Sequence, residues 1–402
     1  MNRASVLTTA ALCLSVVGST GVAQAAPCSA LPNPLVVSGS TAVQALIAQV
    51  APVLGAAAGS DQITIVYKGT GSCSGVAAIA ADATPTGACT PAGCVTGTAS
   101  YWTTATGATA QSCDLDAGGT HIDLILSDVY KESCEGVSNP NLRDQTLLVI
   151  PFGLITAAAS LQEAIDAREA YYAYGRGMAA GVMPWINESL LYRRNSGSGT
   201  QVTVFKNIHV PTGSTIGTEQ AGTGVMITSV SGASSPEQAL GFASLDAVDP
   251  KRNLVKTLAY RHWGQSKFYW PDSTNSSFDK KNVRDGHYPL WGYEHAVTLV
   301  DGAGAPIKPL AKKVADILAG TVPLPGGDAI LLESKAGVVP LCAMDVSRTA
   351  DAADLALVTT GASCSCFFEK NAPSGSTACK SCAADTDCTA GQHCRNTFCE
   401  AR

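Results

Sequence analysis

From about residue 35 the chain alternates short apolar runs of β type with Ala-rich or amphipathic runs of helical type. "PLVVSG" predicts a strand ending in a small-residue turn, and "TAVQALIAQVAPVLGAAAG" behind it predicts a helix. "ITIVYKGTGS" and "SGVAAIAA" repeat the pair, and "HIDLILSD" predicts a third strand. "TLLVIPFGLITAA" reads as a long buried strand, a candidate to cross between lobes. "SLQEAIDAREAYYAYG" places Leu161, Ile165 and Arg168 at helical spacing and opens on Ser160 and Glu163, spaced as a capping box. Later, "GYEHAVTLVD" predicts a strand, and "PLAKKVADILAG" a helix stopped by Gly320. Such alternation predicts an α/β fold of parallel sheets covered by helices.

Two stretches break the pattern. Residues 80–120 are rich in Gly, Thr, Ala and Cys without a sustained period, and predict a stapled surface insertion. Residues 266–293, aromatic and charged, predict a solvated loop over a lobe edge. Beyond Ser347 the composition changes again, with seven cysteines packed into "CSCFFEKNAPSGSTACKSCAADTDCTAGQHCRNTFCE". A segment with so little to bury needs disulfides or metal to hold it. Cys379 and Cys382 have the spacing of a zinc half-site, but export and an even cysteine count favour disulfides.

Export is read from the N-terminus: Arg3, an apolar run over residues 6–17 and Ala23-Gln24-Ala25 form a secretory signal peptide over residues 1–25. Cys13 follows Leu12 and Cys28 follows Pro27, not the small residue of a lipoprotein site, so soluble export is expected. No later apolar run reaches membrane-spanning length. Of the 15 cysteines, 14 remain once Cys13 is lost with the signal, an even number. They fall into a block before residue 135 and a block after 341, which predicts pairing within each block. At 402 residues, 46% hydrophobic and 14% charged, the chain can bury two domains or one large unit in lobes. A net charge of −6 disfavours nucleic acid and anionic membrane as partners, so any anion has to be held by local geometry.

Four corners supply such geometry: "VVSGSTAV" with Ser40 and Thr41, "YKGTGSCSGV" with Ser72, "LILSDV" with Asp128, and "RRNSGSGT" with Arg194, Ser198, Gly199 and Thr200. In each, an apolar strand gives way to small or hydroxyl residues before a helix or turn. Ligands in open α/β sheets bind beyond the carboxyl ends of strands. Small residues there leave backbone N–H groups uncovered, and a helix N-terminus favours negative charge. Ordinary turn chemistry explains any one corner; four together, one with an Arg and one with an isolated Asp, point to an anion. "GSCSG" also fits a nucleophile elbow with Cys73 as nucleophile, against a half-cystine in an exported chain. The six histidines show no metal spacing, so neither a metal nor a cofactor is expected.

These motifs resemble the periplasmic phosphate-binding subunit of bacterial ABC phosphate transporters, a type II periplasmic binding protein. Gly39-Ser40-Thr41 matches the family's Gly-x-Thr, while Tyr67, Gly69, Gly71, Ser72 and Gly75 match its second loop. Ser127-Asp128 matches the third, and Arg194, Gly197, Ser198, Gly199 and Thr200 match Arg-x-x-Gly-Ser-Gly-Thr. "AGVVPL" near Cys342 resembles the closing segment, so the resemblance runs over about residues 35–341. It implies a bilobed α/β fold of two three-layer lobes with crossing hinge strands: residues 26–149 and 294–348 in lobe 1, 150–293 in lobe 2, and a Cys-rich tail over 349–402. It implies a non-enzymatic, monomeric, periplasmic or cell-surface protein that holds inorganic phosphate through Thr41, Ala42, Ser72, Asp128, Arg194, Ser198, Gly199 and Thr200, with an ABC permease as partner. Asp128 can only accept, so it suits phosphate, which retains an O–H at neutral pH, and not sulfate. This chain departs from the family at Ala42, where an aromatic residue is usual, and at Ser196, where an acidic residue usually follows the Arg. The alternatives are a cell-surface interaction protein acting through the tail and a phosphatase-like hydrolase on the same scaffold.

Overall fold

The Leu142–Ala157 strand joins the two halves of the body. Its first half pairs antiparallel with the Trp291–Leu299 strand, and its second with Gly241–Ser244 and Val255–Thr257. From Leu147 to Ala157 it is buried along its whole length, which is why its sequence reads as an unbroken apolar run. It is the crossing strand expected from the sequence. The computed structural model describes residues 25–82 and 87–401; the expected signal peptide, Cys13 included, lies outside them but for Ala25.

Outward from Trp291–Leu299 the sheet continues through Leu124–Ser127, Pro34–Gly39 and Thr64–Gly69, the last three mutually parallel. Gly39 is in register with Gly69 and with Leu126, so these strands end at one level. That alignment brings the first three corners to a single sheet edge. Helices Gln44–Ala56 and Ser72–Ala81 cover this half, each beginning just after a corner.

Four expectations are corrected. The helix of the "SLQEAIDAREAYYAYG" stretch does not begin at Ser160: Ala164–Asp166 is a strand paired with Ala259–Arg261, and Leu161 is exposed. The capping box lies at Asp166 and Glu169, each side chain accepting from the other's backbone N–H at 2.8 and 2.7 Å, ahead of helix Ala167–Arg176. Pairing with a neighbouring strand overrode the earlier local signal. Residues 80–120 are more than a surface insertion, since Thr98–Tyr101 and Gln111–Asp114 add two strands beside Tyr67 and Trp102 is buried in the main core. Residues 266–293 are not a solvated loop either. Lys280 is fully buried between Asp249 and Asp272, at 2.7 and 2.8 Å, and Tyr288 and Leu290 pack in the core. The tail, finally, does have an apolar residue to bury: Phe368 packs in the body's core.

Disulfides form within the two blocks, as expected: 28–113, 73–134 and 89–94 in the first, 342–364, 366–379, 382–394 and 388–399 in the second. The Cys342–Cys364 bridge and the Arg284–Glu369 ion pair tie the tail to the body. Among the described residues no helix is long and apolar enough to cross a membrane.

Candidate functional site

The four corners converge. The Ser40 hydroxyl donates to Asp128, and the Thr200 hydroxyl reaches the other Asp128 oxygen at 3.1 Å. The Asp128 backbone N–H donates to the Ser72 hydroxyl at 3.1 Å. A Cβ on Gly199 would lie 2.4 Å from the Ser72 hydroxyl and 2.9 Å from the Asp128 Cβ, so only glycine lets the fourth corner approach the second and third. Gly71, at φ +97°, needs the left-handed backbone region and lies against the Gly197 carbonyl, which accepts from the Cys73 N–H at 2.9 Å. Ser40, Ala42, Ser72, Asp128, Arg194, Ser198, Gly199 and Thr200 are all buried, and Thr41 is half-buried. The corners are therefore closed on one another.

Ser198 caps the Gly199–Asn207 helix, its hydroxyl accepting from the Gln201 N–H at 3.4 Å. The Gly199 and Thr200 amides stand at the head of that helix, where no intrahelical acceptor exists. The Ser40 hydroxyl accepts from the Ala42 N–H at 2.9 Å and fixes the first turn.

Arg194 is 2% exposed, and its guanidinium forms no ion pair among the described residues. Its Nε donates to the Gln220 carbonyl at 3.0 Å, its Nη2 to the Ala221 carbonyl at 3.2 Å, and its Nη1 to the Thr41 hydroxyl at 3.3 Å. Neutral carbonyls thus orient it, while the acid nearby, Glu219, pairs with Arg193 at 2.8 Å. Burial pushes the Arg194 guanidinium down from its ordinary value, against the pull of Asp128 and Glu219. Of five guanidinium N–H groups, three have these partners.

Burial likewise raises the Asp128 carboxyl, and the Ser40 and Thr200 hydrogen bonds and the nearby Arg194 charge counter it. Two further buried acids stand near. Glu294 is held well above the carboxylate range by burial and then by Asp128, and Asp246 is pushed up to about 7 by burial, with Asp249 and Asp128 adding to it. The Tyr67 hydroxyl donates to the Ser40 carbonyl. Sequence reasoning missed Glu294, Asp246, Thr223 and the Gln220–Ala221 brace. Thr223 lies 3.4 Å from the Thr41 hydroxyl at the head of its own helix, and "QAGTGV" around it repeats the small-residue signature of the four corners. The signal for the two acids was a lone charge inside an apolar run, "GYEHAVTLV" and "GFASLDAV".

Cys73 is bonded to Cys134, so the elbow holds no free thiol. His295, buried, pairs with Asp144 at 2.6 Å.

No family model matches the chain, and no curated protein matches it by sequence. Among solved structures, a phosphate ABC transporter substrate-binding protein of Clostridium perfringens with bound phosphate is similar at TM-score 0.52 and 13% identity, over 77% of this chain and 100% of that one. An ABC-type phosphate transport receptor of Vibrio cholerae is similar at TM-score 0.45 and 15% identity, over 76% and 99%. At such identity the likeness is one of fold: the chain has the bilobed α/β architecture of periplasmic binding proteins, extended by a disulfide-rich C-terminal tail.

Proposed function

We propose that the chain is an exported solute-binding protein that captures inorganic phosphate between two lobes and presents it to an ABC permease as a monomer. Lobe 1 comprises residues 26–149 and 294–348, lobe 2 residues 150–293, and the tail residues 349–402. The strands Leu142–Ala157 and Trp291–Leu299 serve as the hinge about which the lobes close. Thr41, Ala42, Ser72, Asp128, Arg194, Ser198, Gly199 and Thr200 hold the anion.

The observation that carries this reading is Arg194: a buried guanidinium oriented by carbonyls, without a carboxylate partner, beside a helix N-terminus. A buried charge is costly unless paired, and an anion between Arg194 and the Gly199 and Thr200 amides pairs it. The two guanidinium N–H groups left over suit a tetrahedral oxyanion. Asp128 selects among such anions. Each of its oxygens takes one hydroxyl hydrogen bond and keeps a lone pair for a proton the ligand brings. Sulfate brings none, and a site left with an unpaired buried acceptor can reject its ligand by about 10⁴-fold. Support for export comes from the disulfides, which persist in oxidising compartments.

Calorimetry on the mature chain tests this directly. Phosphate is expected to bind with measurable heat and to raise the melting temperature by several degrees, and sulfate to do neither. No heat with phosphate, arsenate or sulfate would remove the oxyanion reading.

A further inference from the structure

Glu294 lies in the Trp291–Leu299 strand just before the register shift at His295, and it is fully buried. Neither of its oxygens has a hydrogen-bond partner, and no Lys, Arg or His pairs with it among the described residues. Ser127 pairs with His295 across the antiparallel strands, which sets Asp128, one residue on, opposite Glu294; Asp246 from helix Leu245–Val248 and Tyr67 from Thr64–Gly69 are the other titratable groups that act on it. None is cationic. A carboxyl so placed is stable only with its proton on, because burial and a neighbouring carboxylate both oppose the charge. Asp128 stands in the opposite position. It receives the Ser40 and Thr200 hydroxyls and feels Arg194, so of the two adjoining carboxyls it is the one that keeps a negative charge.

We propose, resting on the anion-site reading above, that Glu294 is a positioning residue: as a neutral carboxylic acid it gives its O–H to the Asp128 carboxylate and so fixes which lone pairs remain to accept the ligand's proton. The pair holds one proton between its two carboxyls, residing on Glu294, and the ligand must supply the second. Glu294 thereby deepens the selection that Asp128 makes against unprotonated oxyanions.

Two substitutions on the full mature chain separate the donor from the charge, read by calorimetry with inorganic phosphate and with sulfate. Glu294→Gln still donates through its amide, and its phosphate affinity is expected to stay within about threefold of wild type at neutral pH. Glu294→Leu keeps the bulk without the donor, and is expected to lose about tenfold in phosphate affinity and part of the discrimination against sulfate. Its acid arm should also move: without the donor Asp128 takes a proton more readily, so phosphate binding fails at a higher pH than in wild type or Glu294→Gln. A tenfold or larger rise in affinity for Glu294→Gln would mean that Glu294 carried a charge, and would overturn the proposal. An acid arm unchanged in Glu294→Leu would overturn it equally. Infrared spectra of the ligand-free protein keep this apart from the binding reading. The carbonyl stretch of a protonated carboxyl should be present in wild type and diminished in Glu294→Gln whether or not phosphate binds; no difference between the two spectra defeats the neutral acid. Wild type that shows the band yet binds no oxyanion defeats the site and Glu294's part in recognition, with the proton assignment left standing.

Discussion

Two buried cations in the body are held in opposite ways. Lys280, fully buried, has Asp249 and Asp272 at 2.7 and 2.8 Å, and Arg252 joins the same two acids at 2.7 and 2.8 Å. Two positive and two negative groups close that network on itself. Arg194, buried almost as deeply, is held by two carbonyls and a hydroxyl and pairs with no carboxylate within the chain's described residues. The first cluster is paired without a ligand, and in the proposed reading the anion completes the second. Depth of burial does not separate these two charges; the completeness of their pairing does.

The contrast breaks most visibly at Lys280. Lys280→Met leaves Asp249 and Asp272 short of a buried partner and is expected to cost about 3–5 kcal/mol in denaturant unfolding, while phosphate affinity is retained. Arg194→Met should do the reverse. Losing two charge-assisted hydrogen bonds to the anion weakens phosphate binding by about 100-fold or more in calorimetry, with a smaller change in unfolding than Lys280→Met. If both variants lose mainly stability, the distinction fails. The smallest effect concerns Asp246, whose carboxyl burial pushes up to about 7. Between the ordinary carboxylate range and that value the native state binds a proton that the unfolded state has released. Stability therefore falls as pH rises across the window, at most about 1.4 kcal/mol per pH unit. Asp246→Asn removes this titration, and the pH profile of unfolding should flatten there.

The corners were legible in the sequence because their signal is local. A strand end, a glycine and a hydroxyl lie within a few residues of each other in "VVSGSTAV" and "RRNSGSGT", and parallel register brings such ends to one edge. The crossing strand was legible for the same reason, its burial being written as a continuous apolar run. What the sequence hid depends on distant partners. Nothing near Arg194 announces that the carbonyls of residues 220 and 221 will orient it, and nothing near Glu294 announces Asp128. Lys280 looked solvated because "SSFDKKNVRD" is polar locally; its burial is set by Asp249 from a different element. The capping box at Ser160 failed on similar grounds, since Ala164–Asp166 found a strand partner at Ala259–Arg261 before the helix could start.

In the proposed site Arg194 and Asp128 enclose one protonated oxyanion between them, the first supplying charge and the second demanding a proton. Competitive calorimetry of phosphate and sulfate on wild type and Asp128→Asn tests it most directly. Wild type should bind phosphate and reject sulfate; in Asp128→Asn, where the amide can donate, phosphate should weaken and sulfate should gain, shrinking a discrimination of order 10⁴-fold by several powers of ten. An Asp128→Asn protein that discriminates as well as wild type would contradict the account.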